Sequence, residues 1–387
     1  MINNYYVCQQ SEKGIKVKRI LHISKYYYPF RGGTEQIAQD CVNALQEECM
    51  QKVICFNHER GDLTDSVDGV EVIRCDCFTK ISSQSLSYTY GRMLKKVIND
   101  FAPDVVIFHY PNPFVASYLL RYLSAKTKLV IYWHLDIVKQ KILGKLFEGQ
   151  NNRLVKRADI IIATSPNYVK GSKYLSKAKD KCRIVPNCIN ENRLVLTEES
   201  YILSKKIKDK CKDKIICVAV GRHTKYKGFE YLIKASKLID ERFEIFLIGE
   251  GELTDSLKKQ AEGDSKIHFL GVVSDIELKA YLVAMDIFCF PSITKNEAFG
   301  VALAEAMYFA KPSVTFTIDG SGVNYVCLNG KNGIEVENMN VDMYANAMKK
   351  MADCVEIREL YGKAAKERVM EFFTYNQFCT NILNAIF

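Results

Sequence analysis

The sequence predicts an α/β protein of two domains, each a parallel sheet covered by helices. Two observations predict it. Short continuous apolar runs, as expected of strands buried on both faces, alternate with amphipathic helical stretches, and the alternation restarts at residue 214. Length agrees, since 387 residues exceed one ordinary core and suit two domains of average size.

In the first half, KRILHISKYY (18–27) reads as a strand, GGTEQIAQDCVNALQ (32–46) as a helix, and KVICFNH (52–58) and VEVIRC (70–75) as strands. YTYGRMLKKVINDF (88–101) has helical apolar spacing. DVVIFHY (104–110), KLVIYWH (128–134) and DIIIATS (159–165) are buried strands by their unbroken apolarity. The second half begins with KIICVAVGR (214–222), followed by a helix at 228–240, the strand FEIFLIG (243–249), a helix at 252–261 and the strand IHFLG (267–271). DIFCFPS (286–292), a helix from Ala298 to about Ala310, and the strand KPSVTFTI (311–318) complete it. Between the halves, 196–213 is Lys-rich and weakly apolar and suits a linker. Such alternation gives sheets whose ligands bind beyond the carboxyl ends of the strands.

Composition narrows the class. The chain is 48% hydrophobic and 26% charged, hence globular. It has no apolar run long enough for a membrane span, and its first residues lack the apolar centre of a signal peptide, so a cytoplasmic location is expected. Fourteen cysteines with no C-x-x-C pair fit buried free thiols better than a disulfide or zinc framework. The net charge of +9 is uneven: Lys139 to Arg183 holds twelve Lys/Arg against three Asp/Glu. That stretch is a solvated face or a contact for a polyanion or an anionic membrane surface.

The chemistry-bearing candidates fall at strand ends. Gly32-Gly33 opens a helix with free N–H groups, an anion or hydroxyl site, or is an ordinary turn. GRHTKYKG places Arg222 and Lys227 five apart before a helix. A diphosphate needs that pairing, an Arg fork and a Lys point charge. SITKNEAFGVALAEAM (292–307) spaces Glu297 and Glu305 by seven residues, about 12 Å along a helix at 1.5 Å per residue. The two acids are too far apart for a glycosidase-type pair and instead suit two parts of one long ligand. The amides of Phe299, Gly300 and Val301 would point out of the helix start. His134 and Asp136, in YWHLD, close a first-half strand. Neither G-x-G-x-x-G nor a P-loop is present.

Together, Gly32-Gly33-x-Glu35, His134, GRHTKYKG and the Glu297–Glu305 spacing with EAFG resemble the family 4 glycosyltransferases over nearly the whole chain. The resemblance implies a GT-B fold, two Rossmann-like domains facing across a cleft, with a retaining transfer of a hexose or N-acetylhexosamine from a GDP- or UDP-sugar to a glycan hydroxyl. It implies that Arg222 and Lys227 neutralise the donor diphosphate, that Glu297 contacts the transferred sugar, and that Glu305 holds the ribose. Backbone at Ala298, Phe299, Gly300 and Val301 would touch sugar and phosphate. The segment with His268, Phe269 and Gly271 would meet the base, His134 would reach the sugar, and Gly32-Gly33 would close over donor and acceptor. The domains implied are 1–195, completed by a C-terminal helix at 371–387 that crosses back, and 214–370. No metal or other cofactor is expected, and the chain has no D-x-D triplet. The basic amphipathic stretch 137–147 suits a lipid-diphosphate acceptor at the inner membrane face in surface-polysaccharide (O-antigen or capsule) assembly, a peripheral attachment. Nucleic acid is not an expected partner. A GT-B sugar-nucleotide epimerase and a non-catalytic sugar-nucleotide scaffold remain the competing readings.

Overall fold

The computed structural model describes residues 17–30, 32–81, 84–136 and 147–387. The chain divides into two compact units. The first comprises the described residues up to Thr164, with Ser172–Val185 and Cys379–Phe387; the second comprises Ser165–Gly171 and Pro186–Phe378.

The strands of the first unit are β1 (Lys18–Ile23), β2 (Cys49–Phe56), β3 (Leu63–Val67), β4 (Val70–Cys75), β5 (Thr79–Ile81), β6 (Gln84–Leu86), β7 (Val105–Tyr110), β8 (Lys128–Trp133), β9 (Ile160–Ala163) and β10 (Cys182–Ile184). Eight of them form one sheet in the order β10-β9-β8-β7-β1-β2-β4-β3, parallel except for the β3–β4 hairpin. β5 and β6 make a separate antiparallel ribbon. The apolar runs are interior strands because both faces are covered: all six residues of β7 are buried, and β8 is buried from Leu129 onward. Chain order reverses between β1 and β7, so the crevice of this unit opens at their carboxyl ends.

The second unit repeats the plan with β11 (Ile215–Val220), β12 (Phe243–Ile248), β13 (Ile267–Gly271), β14 (Ile287–Phe290), β15 (Ser313–Phe316) and β16 (Gly333–Val336). Its sheet is wholly parallel, in the order β13-β12-β11-β14-β15-β16, with its reversal between β11 and β14. One apolar core runs through it, from Cys217 and Phe288 to Tyr344 and Phe373. The helix Tyr375–Ile386 carries the chain back, and its end belongs to the first unit. There Lys128 Nζ donates to the Ile386 carbonyl at 2.7 Å and Lys18 lies 4.3 Å over the Phe387 ring.

Two sequence expectations differ from the structure. The stretch 196–213 is not a bare linker, since it holds the helix Glu198–Lys210 within the second unit. Thr197 and Ser200 cap it reciprocally, and its buried face is Ser200, Ser204 and Ile207. Small buried serines leave no apolar stripe to read. The helix expected from Ala298 begins at Val301, because Gly300 sits at φ +96 and interrupts it. Every cysteine among the described residues is free. No helix among them is long and apolar enough to cross a membrane.

Candidate functional site

In the second unit the loops after β11 and β14 emerge side by side at the reversal point. The first runs through Gly221 and Arg222 to a short 3-10 turn, Lys225–Lys227, and Gly228 then caps the helix Phe229–Ser236. The second runs from Pro291 to Glu297. Ile293 N–H donates to the Tyr226 carbonyl at 2.9 Å and ties the two loops together. Gly228 lets them close: it sits at φ +65, and a Cβ there would lie 2.1 Å from the Pro291 carbonyl oxygen. Gly228→Ala is therefore expected to cost about 1–3 kcal/mol, read as a lower denaturant midpoint, and to loosen the site.

Across this junction Lys227 Nζ donates to Glu297 Oε2 at 2.5 Å, and Ser292 Oγ lies 3.2 Å from the same oxygen. Both charged side chains are largely buried, at 14% and 12% exposure. Burial penalises the Lys227 ammonium, but the Glu297 charge and hydrogen bond outweigh it and hold the group above its ordinary pKa. The cation also lies 5.1 Å from the Phe290 ring. Arg222, by contrast, is exposed and has no ion-pair partner among the described residues. A committed cation and a free one therefore share the mouth of the crevice.

Beyond Glu297 the backbone turns through Ala298 and Phe299 before the helix Val301–Tyr308. The Phe299 side chain is buried and meets Phe373 edge-on, so only its backbone faces the loop chemistry. The Glu297 carbonyl accepts from Ser321 Oγ, a partner that sequence spacing alone did not suggest. The first intrahelical bond is Ala304 N–H to the Gly300 carbonyl. The amides of Val301, Ala302 and Leu303 thus have no intrahelical acceptor, two residues later than the sequence placed them. Glu305 follows in the second turn, half-buried and without a hydrogen bond or ion pair among the described residues. Burial pushes its carboxyl up to about 7, with Arg193 pulling down and Asp275 pushing further up.

Of the three β13 positions, only Gly271 is at the carboxyl rim, where a Cβ would lie 2.9 Å from Glu250 Oε1. His268 is near the amino end of its strand, hydrogen-bonded to Glu244 and stacked on Phe246 at 4.9 Å. Phe269 is half-buried and meets His223 edge-on.

In the first unit Gly32 caps the helix Gly33–Ala44. A Cβ on Gly32 would lie 2.3 Å from Glu35 Oε2, so the buried Glu35 carboxylate folds back over this turn, while Gly33 faces open space. His134 follows β8, and its N–H donates to the Tyr110 carbonyl. Its ring is buried, stacks on Tyr132 at 4.5 Å, and shares a 3.0 Å hydrogen bond between its Nε2 and His109 Nδ1. Asp136 accepts from Trp133 Nε1 and Ser172 Oγ, both at 2.9 Å, so it braces the loop after β8. His109 and His22 were not singled out by sequence. They stand side by side because β7 pairs with β1, 6.0 Å apart and nearly parallel. With Cys41 they form a buried cluster whose ligand atoms lie within 4.8 Å of one another.

The basic stretch is partly committed to structure. Lys181 Nζ donates to the carbonyls of Val155, Lys156 and Ala158 at the end of the helix Glu148–Arg157, where a cation favours the dipole. Lys173 pairs with Glu148 and Arg157 with Asp159. Residues 137–146 of the amphipathic stretch, and the leader 1–16, lie outside the described residues.

Comparison with known proteins matches each half to a family model. Residues 31–193 match the model described as Glycosyltransferase Family 4, and residues 202–368 match Glycosyl transferases group 1. The chain is 27% identical over 366 residues to the O-antigen chain mannosyltransferase C of Escherichia coli, covering 92% of this chain and 94% of that one. It is 27% identical over 363 residues to the D-rhamnosyltransferase WbpZ of Pseudomonas aeruginosa, covering 92% of each. Among solved structures, the sucrose-phosphate synthase of Thermosynechococcus elongatus superposes with a TM-score of 0.76 at 16% identity, over 95% of this chain and 98% of that one.

Proposed function

We propose that this chain, which belongs to the glycosyltransferases by both of its halves and has their GT-B fold, transfers a hexose or N-acetylhexosamine, with retention, from a GDP- or UDP-sugar. The acceptor is a hydroxyl of a glycan, in the lipid-diphosphate-linked form used for surface-polysaccharide assembly at the inner membrane face. The observation that carries this reading is the Lys227–Glu297 pair at the β11–β14 reversal, with Arg222 beside it and without an ion-pair partner among the described residues.

The chemistry follows from that arrangement. As the bond from C1 to the diphosphate oxygen breaks, negative charge grows on the leaving group, and fixed cations stabilise it more than they stabilise the ground state. Lys227 is held in place by Glu297 and needs little reorganisation; Arg222 is free to bring its fork to two phosphate oxygens. The second Glu297 oxygen is left for the sugar, and Glu305, with no hydrogen bond or ion pair among the described residues, for the ribose. The two relatives named above transfer mannose and D-rhamnose by name. Both sugars have the manno configuration, so donors of that configuration lead the panel. No metal enters this scheme.

The test is a thermal-shift panel of UDP, GDP, ADP and their sugars, followed by transfer assays with the stabilising donor. One nucleotide is expected to raise the melting temperature and its sugar to be transferred. Stabilisation without hydrolysis or transfer to any glycan would favour the scaffold; conversion of the donor without an acceptor would favour the epimerase. Because Arg222 is exposed and has no ion-pair partner among the described residues, Arg222→Ala should leave stability within about 0.5 kcal/mol while lowering turnover about 100-fold. Equal turnover in that variant would remove Arg222 from the site.

A further inference from the structure

The geometry points to His109 as a positioning residue that donates Nδ1–H to His134 Nε2 and thereby makes His134 present Nδ1–H outward, as a hydrogen-bond donor to the sugar. The inference rests on the proposed transfer reaction and on the sugar-side role that the family resemblance implies for His134, but concerns a residue that neither the motifs nor the comparisons assign.

Three histidines lie on neighbouring strands: His22 on β1, His109 on β7, and His134 at the end of β8. All are buried, with 0%, 3% and 5% exposure. Burial lowers the pKa of each, His22 to about 4 and His134 to about 3, so at neutral pH each ring carries one proton. A neutral imidazole has one donor and one acceptor nitrogen, so the His109–His134 bond has only two possible directions.

His22 is settled by its neighbour. Gln51 donates its amide N–H to the Val42 carbonyl at 2.9 Å, which turns Gln51 Oε1 toward His22 Nε2 at 2.8 Å. Nε2 of His22 must then carry the proton, and its Nδ1 is a bare lone pair, sealed and without a partner. The outer nitrogen of His109, Nε2, is sealed and unpartnered as well. If His134 donated to His109, that nitrogen would hold a buried N–H with no acceptor, the rarer and costlier defect. If His109 donates, the same nitrogen is a second bare lone pair. The Cys41 thiol, kept protonated by burial, is a weak donor within the same cluster as His22 and His109. The second arrangement wins.

It leaves His134 Nε2 as acceptor and Nδ1 as donor. Nδ1 has no hydrogen-bond partner among the described residues, and it is not among the sealed atoms. A neutral N–H there can hold a sugar hydroxyl oxygen but cannot act as a general base near neutral pH.

The experiment is ¹⁵N NMR of protein labelled at its six histidines, with His134 assigned by the signal lost in His134→Gln. The expected result is the Nδ1–H tautomer at His134 and the Nε2–H tautomer at His22. An Nε2–H tautomer at His134 in the wild type would overturn the proposal without any variant or activity being needed. In His109→Phe, His134 should revert to Nε2–H, and kcat should fall about tenfold or more with the donor KM little changed. The double variant His109→Phe/His134→Ala should be no slower than His134→Ala alone; additive losses would count against coupling. Unchanged turnover in His134→Ala would instead remove the sugar-side role of His134 and leave the tautomer result standing.

Discussion

Lys227→Ala should lower kcat/KM about 1000-fold and should also destabilise the second unit. The two effects have separate causes. Activity should fall because the cation proposed to face the diphosphate is gone. Stability falls because the largely buried Glu297 loses its ion-pair partner and is left with Ser292 as its side-chain hydrogen-bond partner. Breaking a largely buried pair from one side costs up to about 3 kcal/mol. The double variant Lys227→Met/Glu297→Gln separates them, since it removes both charges at similar volume. Its melting temperature should return most of the way to wild type while turnover stays lost. Recovery of turnover along with stability would show that the pair only braces the loops and that the chemistry lies elsewhere. Failure to recover stability would show that the pair contributes more than charge balance, and Tyr226, Phe290 and the Gly228 contact would be the places to look.

The sequence made the sheets legible because both are parallel and covered on both sides, so β7, β8 and β11 appear as unbroken apolar runs. It was poor at elements whose buried residues are polar or few. The helix Glu198–Lys210 hides behind serines, β3 has no buried residue, and β16 has four residues. Gly300 was read as part of a helix because its neighbours are good helix formers, whereas its φ of +96 makes it the residue before one. The candidate site was legible where a motif sits on one loop, as with Arg222 and Lys227. Adjacency across strands was not. The contact of Ser292 and Lys227 at one Glu297 oxygen, and the row from His22 through His109 to His134, depend on strand order, which no local pattern encodes. His22 on β1 and His109 on β7, whose rings stack, are 87 positions apart in the chain.

Glu305 supplies the pH-dependent prediction. Its carboxyl is pushed up to about 7 from an ordinary value of 4.5, so between those values the folded protein keeps a proton that the unfolded chain has released. Stability should therefore fall as pH rises from about 4.5 to about 7, with a slope approaching 1.4 kcal/mol per pH unit at most. Glu305→Gln should remove that slope and leave the protein more stable at pH 8 than the wild type.

Binding should have the opposite dependence. Two ribose hydroxyls are donors, and an ionised carboxylate accepts from both, whereas the protonated form has an O–H to place as well. A nucleotide sugar should then bind more tightly as pH rises through 7 and level off above it, releasing a proton that calorimetry in buffers of different ionisation enthalpy would count. The nucleotide sugar is the right probe because its diphosphate, esterified at both ends, has no proton to lose in this range, unlike a free nucleoside diphosphate. Glu305→Gln should bind about tenfold more weakly at pH 8, the loss expected for one charge-assisted hydrogen bond, with a flat pH profile. Affinity that falls with rising pH in the wild type would place the carboxylate against the phosphates instead, where its charge repels. In that case the ribose must be held elsewhere on the β13 side of the crevice, and Glu250 beside Gly271 would be the next carboxylate to replace.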